Sequence, residues 1–252
     1  MATGRPFDVA QTAASSGVST LLVGQATLGM AGVTAADYLV RHLDTVEVGH
    51  LRPGDLPAIA PFEEGVPRHH GRLYDVEGTE LAALVEELFV PVGVARPYAE
   101  ALFEWIHGND VEEIVVLHGV PFPHGPEEHE VFHVATAGYR ERRLSASSIQ
   151  PLKGGFLDGV VGELVTRSLE EPTLDTGVFV TPTHPPGPDV DAALKLLDAV
   201  QSIYDLDVDE TELRELGEQL KQYYEQLAER VAAARGEEPL ASHDYPEDRM
   251  YM

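Results

Sequence analysis

The chain has no cysteine, only three lysines (Lys153, Lys195, Lys221), one tryptophan and no apolar run long enough to span a membrane. Without cysteine there is neither a disulfide framework nor a thiolate metal site. A membrane helix needs roughly 18–20 consecutive apolar residues, so no bilayer partner is expected. Met1 to Pro6 lacks the basic-then-apolar pattern of a secretory leader. A cytoplasmic location is the simplest expectation. Positive charge is scarce: 43 acidic residues face 17 basic ones, for a net charge of −26. Such a surface repels nucleic acid and anionic membranes. It also opposes its own folding unless salt screens it. At about 1 M salt the screening length falls to roughly 3 Å. The acids are spread along the chain rather than blocked. That favours salt adaptation over a dedicated basic partner.

What is present is enough for a core. Hydrophobic residues make up 43% of 252 positions, which excludes wholesale disorder and suits one large domain with an appendage. Strand-like and helix-like segments alternate. Strands are expected at 18–23, 45–51, 72–76, 81–85, 113–117, 131–135 and 177–181. Helices are expected at 30–42, 95–107, 156–169 and 188–204. Glu113-Ile-Val-Val-Leu117 is short and continuously apolar, as a strand covered on both faces should be. The pattern predicts an α/β domain with a largely parallel central sheet and helices on both faces, related in outline to phosphorylase- and hydrolase-like sheets. That domain is expected over 12–205. A helical segment over 206–235 follows, with an N-cap at Asp209, Glu212 at the capping-box position and one apolar stripe through Leu213, Leu216, Leu220, Tyr223, Tyr224 and Leu227. Residues 236–252 are acidic, carry two prolines and read as a flexible tail.

Chemical motifs are present but incomplete. His129-Glu-Val-Phe-His133 has the H-E-x-x-H spacing of zinc proteases. That chemistry needs a helix, where positions i and i+4 stand about 6 Å apart. The local β-branched and aromatic residues predict a strand, which would separate the two histidines by roughly 13 Å. No shared metal is expected. Gly24-Gln-Ala-Thr-Leu-Gly29 has the glycine spacing of a phosphate loop, but Met30-Ala31 stands where lysine and a hydroxyl are needed. No nucleotide, and no cofactor of any kind, is expected. Lys153-Gly154-Gly155 precedes a helix whose N-terminus could meet an anion. A small-molecule cleft at the sheet edge, drawing on Gly24, Gly29, His118, Lys153, Gly154 and Gly155, is the enzymatic alternative. Trp105 reads as core.

The chain ends Met250-Tyr251-Met252. An apolar residue, a ring and a free carboxylate together suit insertion into a pocket on another protein. Chance is the competing explanation. Other segments sharpen it. Gly24 to Gly32 leading into Ala35-Ala-Asp-Tyr-Leu39, Val116-Leu-His-Gly119, Leu152 to Leu164, and Pro188 to Ala193 followed by Leu196-Leu197 together resemble the PAC2 proteasome-assembly-chaperone family. The resemblance runs from about residue 15 to 235. It implies an α/β fold, homo-oligomers, no enzymatic activity, and 20S proteasome α-subunits as partners. Separately, the ending Met250-Tyr251-Met252 resembles the hydrophobic-Tyr-any pattern of proteasome-binding proteins. The Met252 carboxylate would then pair with a pocket lysine, Tyr251 would fix orientation and Met250 would add apolar contact. A factor that assembles 20S particles and one that opens finished particles remain alternatives.

Overall fold

The computed structural model describes residues 7–15, 17–54, 59–122, 129–184 and 187–235. In chain order the elements are β1 (Phe7–Gln11), β2 (Thr20–Gln25), α1 (Ala31–His42), β3 (Thr45–Pro53), β4 (Phe62–Glu63), β5 (Val66–Pro67), β6 (Gly71–Val76), β7 (Leu81–Glu86), α2 (Ala95–Gly108), β8 (Glu113–Val120), β9 (Phe132–Ala135), α3 (Ala137–Tyr139), β10 (Gln150–Pro151), α4 (Gly159–Glu170), β11 (Asp175–Pro182), α5 (Val190–Tyr204) and α6 (Thr211–Arg235). A five-residue π turn, Arg140–Leu144, continues α3.

One nine-stranded sheet organises the residues up to Glu210, in the order β1-β3-β6-β7-β2-β8-β11-β9-β10. Its middle, β7-β2-β8-β11, is parallel. Antiparallel pairings add β6, β3 and β1 on one side and β9 on the other. The α/β class stands, but "largely parallel" describes only the centre. The hairpin β6–β7 turns within Glu77–Glu80, too few residues for the crossover that a parallel pairing would need. β1 lies ahead of residue 12, where the sequence pattern placed the start of the domain. It pairs with β3 from Phe7↔Pro53 to Gln11↔Gly49.

Side-chain alternation sorts the core into two layers. Leu21 and Val23 of β2, Ile114 and Val116 of β8, and Val178 and Val180 of β11 join Leu102, Ile106, Val161 and Leu164 of α2 and α4. Leu22, Val115, Leu117 and Phe179 are equally buried on the opposite face. There α1 packs on β2 and β8, and α5 on β11. Trp105 is in the α2 layer, as expected. α1 comes unusually near the sheet. A Cβ on Gly32 would collide with the Leu117 carbonyl, and one on Gly24 with Ala36.

The contact pattern divides the chain between Glu210 and Thr211. α6, beyond that point, is 25 residues long. Its Leu216, Tyr223, Tyr224, Leu227 and Val231 are all exposed. No helix among the described residues is long and apolar enough to cross a membrane.

Candidate functional site

The C-terminal ends of β2, β7, β8 and β11 share one edge of the sheet, where open α/β sheets usually hold ligands. The loop after β2 is tied down here from three directions. Thr183 Oγ1 donates to Leu28 O at 3.2 Å, Thr27 Oγ1 reaches Gly119 O at 3.4 Å, and Asp189 N donates to Gly29 O at 2.8 Å. Gly29 has φ +77° and packs on Thr183, so a side chain would be strained there twice over. Met30, the N-cap of α1, is also left-handed, at φ 53°. These glycines therefore serve close packing, and the loop's carbonyls are engaged by protein donors.

The remaining expected residues are placed less closely. His118, near the end of β8, has its Nδ1 buried with no hydrogen-bond partner among the described residues. Burial pushes its imidazole below the ordinary histidine value, and the nearby Asp158 carboxylate pulls the other way. His118 is thus neutral near pH 7. Lys153, Gly154 and Gly155 are exposed, and open space surrounds both glycines. A groove of about 250 Å³ runs between α2 and α4, walled by Arg96, Phe103, Glu163 and Arg167. Another, of about 480 Å³, lies beside Val18, Val48, Asp75 and Thr79. Neither is lined by Gly24, Gly29, His118 or Lys153. Met250, Tyr251 and Met252 lie outside the described residues.

Two buried clusters escaped the sequence reading. At the end of β7, Glu86 is wholly buried and accepts from Tyr98 Oη at 2.9 Å, from Leu88 N at 2.9 Å and from His70 Nδ1 at 2.7 Å. Burial, with the Glu86 charge beside it, drives the Tyr98 phenol well above its usual value, so that hydroxyl stays a donor. At the opposite edge, Glu113 accepts from Arg143 Nε at 3.0 Å, from Tyr204 Oη at 2.8 Å and from Thr20 Oγ1 at 3.3 Å. Both carboxylates have their acceptor positions filled by protein groups, which is the arrangement of a structural tie. Nothing local in the sequence marks either, because the partners are distant in the chain.

The two histidines of the H-E-x-x-H sequence have different partners. His133 lies on β9 with Nδ1 2.9 Å from Ile149 O. His129 precedes β9, with Nε2 3.0 Å from Pro182 O.

The PAC2 family model matches residues 21–228. The chain belongs to the PAC2 family. Among solved structures, this PAC2 chain is similar to Pyrococcus furiosus PbaA, described as an archaeal homolog of proteasome-assembly chaperone. The TM-score is 0.79 at 20% identity, over 91% of this chain and 95% of that one. It is also similar to Pyrococcus furiosus PbaB, described as an archaeal proteasome activator, with a TM-score of 0.76 at 17% identity, over 88% and 99% of the two chains. A Thermoplasma acidophilum protein of unknown function gives a TM-score of 0.71 at 27% identity, over 86% and 88%. No curated protein matches the sequence.

Proposed function

We propose that this PAC2 protein is a non-enzymatic proteasome-binding factor of the assembly-chaperone kind. The observation that carries the reading is the family match over residues 21–228. In this reading the folded body is a homo-oligomeric platform, and Met250-Tyr251-Met252 docks into pockets between 20S α-subunits. Several tails on one oligomer act together, because each later docking event is intramolecular. The charge balance sets the conditions. At high salt the pairing of the Met252 carboxylate with a lysine is screened, so Met250 and Tyr251 carry most of the affinity. The test is co-purification with 20S α-rings in high salt. Deleting residues 250–252 abolishes capture; undiminished capture by the shortened chain refutes the docking.

The likeness to PbaB supports a second reading, activation of finished particles. Timing separates the two. An assembly factor speeds 20S formation from separate subunits, whereas an activator speeds peptide entry into complete particles.

A further inference from the structure

His129 has an unexpected neighbour. Its ring lies 5.2 Å from that of His184 in an edge-on arrangement. His184 Nδ1 in turn lies 2.8 Å from Asp189 Oδ2. One donor atom from each of His129, His184 and Asp189 falls within 4.8 Å of the others. They come from three places in the fold: the approach to β9, the segment after β11, and the N-cap of α5.

We propose that His129, His184 and Asp189 bind one late first-row divalent transition-metal ion, of which Zn²⁺ is the type. Two imidazole nitrogens and one carboxylate oxygen suit Zn²⁺, Co²⁺ or Ni²⁺ and disfavour Mg²⁺ and Ca²⁺, which prefer all-oxygen shells. Bonds of about 2.0–2.1 Å in a tetrahedral shell place donors roughly 3.4 Å apart. The present spacing reaches that by small ring movements. The His184 side chain is 55% exposed, whereas that of Asp189 is 7% exposed and held at both oxygens. Asp189 is already oriented: Oδ1 accepts from Ala192 N at 3.0 Å and Oδ2 from His184 N at 2.7 Å. This fixing of the carboxylate is what outer contacts do for a metal ligand. In the present arrangement His184 Nδ1 must carry its proton toward Asp189, and His129 Nε2 toward Pro182 O, because carboxylate and carbonyl oxygens only accept. A metal binds one ring nitrogen of each histidine in its unprotonated form, and the ring's single proton then sits on the other nitrogen. The exposed side of His184 leaves room for water to complete the shell. His133 takes no part, since it is committed to Ile149 O. The metal pair is thus His129 with His184, not the H-E-x-x-H pair. Asp189 N also holds Gly29 O, so a bound ion would stiffen the clasp around the loop after β2.

The test uses the full chain, stripped with a chelator and titrated with Co²⁺ alone in molar potassium chloride with excess Mg²⁺. Those conditions quench loose binding to the acidic surface. One Co²⁺ per chain, with the visible d–d absorption of a nitrogen-ligated ion, is expected. His129→Gln and His184→Gln weaken it about tenfold or more, and His133→Gln leaves it unchanged. Asp189→Asn weakens it too while keeping a good helix cap. Zn²⁺ raises the melting temperature of the native chain but not of His129→Gln, a readout that does not depend on the cobalt spectrum. The proposal is overturned if the native chain takes up no ion, or if the His129→Gln/His184→Gln double variant binds as the native chain does. It is equally overturned if His133→Gln loses binding while His184→Gln retains it.

Discussion

Gly32 and Leu117 set how near α1 can come to the sheet. With no side chain at 32, the helix backbone rests directly on β8. Gly32→Ala drives a methyl into the Leu117 carbonyl, and neither backbone can yield cheaply. A loss of about 1–3 kcal/mol is expected, seen as a lower urea midpoint with an unchanged slope. His118 offers a second test at this scale. Its folded-state pKa lies below the ordinary value of 6.5 because burial disfavours the charged ring. Folding therefore favours the neutral form. That contribution is fully present above pH 6.5 and is lost as pH falls from there toward the depressed value. His50 and His133 are shifted the same way, also mainly by burial. Stability in denaturant should fall between pH 7 and pH 5, and His118→Gln should flatten part of that fall.

At the scale of elements, the Glu113 tie joins pieces that the periodicity of the sequence leaves separate. Arg143 comes from the π turn, Tyr204 from the end of α5, and Thr20 from the start of β2. Tyr139 adds its hydroxyl to that of Tyr204 at 3.0 Å. Removing the carboxylate strands several donors at once. Glu113→Ala should cost about 1–3 kcal/mol, whereas Tyr204→Phe, which removes one hydroxyl, should cost about 1 kcal/mol. Equilibrium unfolding of the two variants checks the order. α6 allows a different kind of prediction. Its exposed Leu216 and Leu227 lie on one stripe, which gives the proposed homo-oligomer a surface to use. In that reading Leu216→Glu with Leu227→Glu lowers the molar mass measured by light scattering and leaves the melting of the sheet domain unchanged.

For the whole molecule, the net charge of −26 is the governing quantity. Self-repulsion at low ionic strength works against every compact state of the chain. The melting temperature should rise with potassium chloride until screening is complete near molar salt. A melting temperature independent of salt would show that the acidic surface costs the fold nothing. The proposed docking test belongs at the same scale, because truncation of residues 250–252 is best read where the charge of −26 on this chain is screened.

The sequence by itself determined most of the elements and their class. The apolar run Glu113–Leu117, the helix 95–107 and the helix ending at Tyr204 were legible because burial on both faces, or on one stripe, leaves a local period in the chain. It also told against the H-E-x-x-H pair, since strand composition pulls those histidines apart. β1 and the turn between β9 and β10 were not legible. A five-residue edge strand and a π turn have little periodicity, and their stability comes from partners elsewhere. Which strands run antiparallel was decided only by tertiary pairing. So were the close contacts at Gly24, Gly29 and Gly32; the spacing of Gly24 and Gly29 has the form of a phosphate loop without its lysine and hydroxyl, and in space all three glycines meet neighbouring backbone or side chains. The meeting of His129 with His184 and Asp189 belongs to the same class. His129 is distant in the chain from His184 and Asp189, and the placement of β11 beside β9 brings it to them.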